Sequence, residues 1–152
     1  MPNPSDRAAG GDPHDLERFV QAQAHDHARA LAEIAGGRKR THWMWYTFPQ
    51  LQGLGGSEMA RRYAIRSVAE AEAYLLHPVL GPRLRACAEA ALAVEKRSAH
   101  EIFGAPDHLK LRSSATLFAA VSPPGSVFHR LLDRYFDGAG DRATLDLLDA
   151  LR

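Results

Sequence analysis

Apolar residues along this chain recur at helical spacing. The first stripe runs Leu16, Phe19, Val20, Gln23, His27, Leu31, Ile34. It predicts one amphipathic helix with two polar residues set into its apolar face. Asp15 stands where an N-cap belongs, and the Gly36–Gly37 pair where a helix stops. The aromatic run after it, Trp43 to Phe48, suits a strand or a buried helix equally. The preferred reading is a short helix from Thr41 that ends before Pro49, because proline restricts the residue ahead of it.

Further along, Ser57 opens a short helix through "SEMARRYAI". Ser67 with Glu70, and Ser98 with Glu101, have the spacing of capping boxes. Pro78 or Pro82 starts an Ala-rich helix, Pro106 opens another over "DHLKLRSSATLFAAV", and Pro123–Gly125 breaks the chain. Two last helices meet near Gly138 and Asp141. No hairpin signal and no internal repeat is present. The pattern predicts an all-α fold, a single compact domain of about seven or eight short helices over residues 15–152 that depend on mutual packing. Residues 1–14, rich in Pro, Gly and Asp, are expected to form a disordered tail.

Composition narrows the class. The chain has 152 residues, 45% hydrophobic and 24% charged, as in ordinary globular domains. Its one cysteine, Cys87, excludes an internal disulfide and reads as a small core residue. No apolar run approaches the ~20 residues that cross a bilayer. These features lead to an expected cytoplasmic location. Net charge is +1, but residues 38–112 carry 12 Lys and Arg against 7 Asp and Glu, and the flanks carry 7 against 11. The middle is mildly basic, enough to attract a phosphate or carboxylate and too weakly for a general nucleic-acid binder.

Candidate chemistry clusters in that middle. Trp43, Trp45 and Phe48 read mostly as core anchors. Polar residues surround them. His42 precedes the first indole, Gln50 follows Pro49, and "GLGGS" leads into Ser57 and Glu58. Glycines admit close approach to the backbone, and amides at a helix start suit an anion. The glycine spacing fits neither a dinucleotide fingerprint nor a phosphate loop, so no cofactor is expected. Of Arg38, Lys39 and Arg40, at least two read as solvated, and Lys39 is the candidate clamp for an anion near His42. Asp107, Lys110, Ser113 and Ser114 crowd one later segment. Asp107 reads as a cap, and Lys110 with the serines as either a solvent face or a phosphate clamp. The histidines make no metal pattern, and no metal is expected. His42 and Glu58 are the candidates for general acid or base, leaving open whether there is catalysis at all.

Over "GGRKRTHWMWYTFPQLQGLGGSEMARRYAI", "EAEAYLLHPVLGPRL", "IFGAPDHLKLRSSATLF" and "FDGAGDRATLDLL" the chain resembles the bacterial and fungal family called domain of unknown function 1810, from about residue 16 to 148. The resemblance implies a mainly helical fold and supplies no function. The polar positions it carries over are Gln23, Lys39, His42, Gln50, Ser57, Tyr63, Asp107, Lys110, Ser113 and Ser114. At His27 the family pattern implies a tyrosine, so this chain departs from it. Members are sometimes labelled calpastatin-like, yet calpastatins are long, disordered, repeated inhibitors, and this chain is compact and repeat-free. There is a looser similarity to helical domains thought to act on NAD or ADP-ribose derivatives, in the Gly-rich turn before Ser57–Glu58.

Three functions follow as expectations. The first is a pocket for a small anionic ligand, a nucleotide or ADP-ribose derivative, with or without catalysis, built around Trp43, Trp45 and these polar residues; it requires that they converge. The second is a non-catalytic protein-interaction domain presenting both indoles on a surface rimmed by Arg38–Arg40. The third, single-stranded nucleic-acid binding through "RKRTHWMWY", has the small net charge against it.

Overall fold

The computed structural model describes residues 11–151, and all of the architecture below concerns those residues. Ten helices follow one another: α1 Glu17–Gln23, α2 His27–Ala35, α3 Met44–Thr47, α4 Glu58–Arg62, α5 Val68–Leu76, α6 Leu80–Ala93, α7 Ala99–Phe103, α8 Asp107–Ala120, α9 Val127–Phe136 and α10 Arg142–Ala150. The fold is all-α, as the periodicity predicts. The one β feature among these residues is an isolated parallel bridge between Leu51 and Ile65.

The helix count exceeds the expected seven or eight, partly because the first stripe is two helices. The chain turns at residues 24–26, where Ala24 N donates to Gln21 O and Asp26 N to Gln23 O. Asp26 then precedes α2, and its carboxylate accepts the Tyr46 hydroxyl from α3. The break thus has a tertiary partner and no proline or glycine to announce it. The start differs too. Leu16, not Asp15, holds the N-cap position of α1; the Asp12 carboxylate accepts from Leu16 N at 2.7 Å and Glu17 N at 3.1 Å, while Asp15 has a φ of 51°. The expected tail falls outside the described residues up to position 10, and from Asp12 the chain is tied to α1.

Local signals elsewhere hold. Ser57, Ser67, Ser98, Ser126 and Asp141 each cap the helix that follows. Ser98 and Glu101 form the reciprocal box, each bonding the other's backbone amide. Ser67 bonds the amide of Glu70, but the Glu70 carboxylate turns to Arg66 N and to Arg18. Such caps contribute about 1 kcal/mol each, which matters for helices of five to ten residues.

Two 14-residue helices, α6 and α8, form the centre. Helix α6 packs against α2, α5 and α9; α8 packs against α5, α7, α9 and α10. Every residue of α8 from Ser113 to Ala119 is buried. That stretch is covered on all sides, so Ser113 and Ser114 form no solvent face with Lys110, which stays partly exposed one turn earlier. Its polar residues turn inward on the backbone: Ser113 Oγ donates to Leu109 O at 3.2 Å, and Thr116 Oγ1 to Arg112 O at 2.7 Å. Helix α6 meets its neighbour so closely that a Cβ on Gly81 would lie 2.2 Å from the Leu75 carbonyl oxygen. Aromatic rings fill the space between layers, with Tyr74 against both Phe19 and Phe118, and Phe103 against both Trp43 and Phe48.

Candidate functional site

Two stretches far apart in sequence meet at the start of α8: the loop Arg38–Trp43 running on through helix α3 and the chain after it, and the turn Gly104–Asp107. Lys39 is fixed at both ends. Its backbone amide donates to Ile102 O at 2.7 Å, and its ammonium donates to Thr41 O at 2.6 Å. That ammonium lies 3.0 Å from Asp107 Oδ2, and Lys110 Nζ lies 3.3 Å from Asp107 Oδ1. One carboxylate thus serves two cations. Asp107 does not cap α8, because the capping position is Pro106 and no side chain bonds there. The Lys39 side chain is only 8% exposed, while Lys110 keeps 24%. Each ammonium also sits against an indole, Lys39 Nζ 5.0 Å from the Trp43 ring centre and Lys110 Nζ 5.2 Å from that of Trp45. Such contacts contribute about 0.5–2 kcal/mol, more as water is excluded.

The loop that carries Lys39 is organised by a residue sequence reasoning missed. Glu33, near the end of α2, accepts from Arg40 N, Thr41 N and Trp43 Nε1 on one oxygen and from Thr41 Oγ1 on the other. Burial opposes ionisation of this carboxyl, but the backbone and side-chain donors outweigh it and hold its pKa at about 2. Nothing in the sequence around Glu33 distinguishes it from a solvated helix residue.

A cleft of about 410 Å³ opens beside the two lysines. Lys39, Lys110 and Asp107 line its charged side, with Arg40 and His42 at the rim and Trp45, Phe103 and Pro106 as apolar walls. The lining therefore holds three cations against one carboxylate. The Ala105–Pro106 bond is cis. A second depression of similar volume lies on the far side of Pro106 and Lys110, which line both; Gln50, Ser57, Leu109, Ser113 and Asp141 line the second. Of the residues picked from sequence, Lys39, His42, Trp45, Gln50, Ser57, Asp107, Lys110 and Ser113 are thus gathered around the start of α8.

The others lie elsewhere. Trp43 is wholly buried and bonded to Glu33, so an exposed patch of two indoles does not exist; Trp45 is half-buried in the cleft wall. Gln23 sits in the core, its Nε2 donating to Tyr46 O at 2.7 Å and to the Tyr74 hydroxyl at 3.0 Å. Tyr63 packs its ring against Phe19 and Tyr46. Ser114 is buried in α8 and lines neither cleft. Glu58 is exposed at the first turn of α4 and also lines neither. Ser57 Oγ already accepts from Ala60 N, and α4 is only five residues long. The glycine turn has a packing reason, since a Cβ on Gly55 would lie 2.5 Å from Ala60 Cβ. Cys87 is buried among apolar neighbours, which push its thiol up to about 12, and its Sγ lies 4.0 Å from His27 Nδ1. Among the described residues no group of His, Cys, Asp and Glu has the arrangement of a metal site, and no helix is long and apolar enough to cross a membrane.

Comparison with known proteins agrees with the fold. The family model described as "Protein of unknown function (DUF1810)" matches residues 13–148, and the chain belongs to that family. The crystal structure of the conserved hypothetical protein Rv1873 from Mycobacterium tuberculosis is similar to this chain at 52% identity, with a TM-score of 0.89 over 91% of this chain and 99% of that one. No curated protein matches.

Proposed function

We propose that this member of the DUF1810 family binds a small ligand carrying an anionic group and a flat ring, of nucleotide or ADP-ribose type, in the cleft at the start of α8. The observation that supports this reading is the sharing of one carboxylate by two lysines. Asp107 neutralises one of the Lys39 and Lys110 charges and orients both; the surplus charge, with Arg40, faces the cleft. An ammonium has three donors, and Lys110, with its Asp107 contact at 3.3 Å, retains donors for a phosphate or carboxylate. The apolar wall of Trp45, Phe103 and Pro106 offers surface to a ring. The volume falls within the ~300–1,000 Å³ of small-molecule pockets. Any proton transfer at this site falls to His42, at the rim, because Asp107 is committed to its lysines.

A thermal-shift titration tests it. The panel holds NAD, ADP-ribose, mononucleotides, sugar phosphates and a short single-stranded oligonucleotide. A ligand at 100 times its Kd adds about 2.7 kcal/mol, and at roughly 2–4 °C per kcal/mol this raises Tm by about 5–11 °C. Lys110→Gln is expected to abolish the shift relative to its own ligand-free Tm. That Tm falls only modestly, because the ion pair and the Trp45 contact it loses are both partly exposed, together about 1–2 kcal/mol. A panel without any shift, or a shift that survives Lys110→Gln, refutes the reading.

A further inference from the structure

The second cleft differs in chemistry from the first. Its polar lining is Gln50, Ser57, Ser113 and Asp141, between apolar Leu109 and Ala143, with Ser113 Oγ turned to Leu109 O and Asp141 Oδ2 to Thr144. Asp141 adds a carboxylate and Lys110 already serves Asp107, so this lobe does not favour a second anion. No described residue bonds the Gln50 side chain, although the backbone is pinned beside it by Ile65 N donating to Gln50 O at 2.9 Å. The Gln50 carboxamide offers two donors and an acceptor, and the Ser57 hydroxyl, which accepts from Ala60 N, keeps its proton to donate. Such a set, alternating with small apolar surface, matches the hydroxyls and ring face of a sugar.

Resting on the reading above, we infer that the two clefts are halves of one bipartite site and that its ligand is a two-part molecule of the nucleoside-diphosphate-sugar class. Its flat ring lies in the Trp45 lobe. Its diphosphate crosses the shared wall at Lys110, with Lys39 and Arg40 on the near side. Its sugar enters the Gln50 lobe. Three features carry this. Pro106 and Lys110 line both lobes, so the charge lies between them. The two lobes are alike in volume, about 410 Å³ each, and a mononucleotide has parts enough for one only. Lys39 and Arg40 line the first lobe alone, and Gln50, Ser57 and Asp141 line the second alone.

Calorimetric titration of the full chain with ADP-ribose and with AMP tests the inference separately from the reading beneath it. ADP-ribose is expected to bind at least about tenfold more tightly than AMP, about 1.4 kcal/mol. Gln50→Ala is expected to weaken ADP-ribose about tenfold and leave AMP as it was. Ala143→Leu, at an exposed position of α10, fills the second lobe without removing any bond and is expected to do the same. Lys110→Gln is expected to weaken both ligands. Should Gln50→Ala and Ala143→Leu leave ADP-ribose unchanged, or weaken AMP equally, the bipartite site is overturned while a Lys110→Gln effect on both keeps the single-cleft reading. Should neither ligand bind, or Lys110→Gln change neither, both fall together.

Discussion

Gln23 shows how a single residue couples segments that the sequence keeps apart. Its amide group reaches the backbone of α3 and the side chain of α5 at once, and it is 3% exposed. Removing it strands a carbonyl and a hydroxyl without water, at about 1–3 kcal/mol, and opens a cavity besides. Gln23→Ala is therefore expected to destabilise the domain by roughly 2–4 kcal/mol, read as a lower urea midpoint at unchanged slope. A loss under about 0.5 kcal/mol, the size of an ordinary surface change, contradicts this account. The position was visible as a polar interruption of an apolar stripe. Its partners were not, because Tyr46 and Tyr74 come from segments that only folding brings near. The same limit applies at Trp43 and Trp45. They look alike in sequence, and only the path of α3 buries the first completely and leaves the second in a cleft wall.

At the scale of the element, the loop between α2 and α3 behaves as a handle held by Glu33. Four donors bind one ionised carboxyl, and its pKa is lowered from 4.5 to about 2. Folding thus favours the charged form. The stability it contributes is complete above about pH 4.5 and is lost as pH falls towards about 2. Glu33→Gln keeps one acceptor and can donate to Thr41, but it does not titrate. Unfolding midpoints followed from neutral to acid pH are expected to fall less steeply in Glu33→Gln than in the wild type across that window. Identical acid slopes defeat the assignment. Elements are where sequence patterns succeed and fail most clearly. The Ser98–Glu101 box is written entirely within four residues, so it could be read. The break between α1 and α2 could not, since it answers to Tyr46 rather than to a local proline or glycine.

Across the whole molecule, the all-helical architecture followed from spacing alone, because helical periodicity survives without knowledge of partners. The clustering of Lys39, Asp107 and Lys110 did not. Each was conspicuous singly, and their convergence depends on α7 and α8 delivering the turn Gly104–Asp107 to the loop after α2. The burial of both indoles to different degrees has a practical meaning at this scale. The chain's two tryptophans are separate optical reporters, one sensing whether the core is intact and the other sensing what enters the cleft. Emission during urea denaturation is expected to respond through both, and emission on ADP-ribose addition through Trp45 alone. Trp45→Phe should then silence the ligand-induced change and preserve the unfolding transition. Loss of both signals together would mean that the two rings do not divide the roles of core and cleft between them.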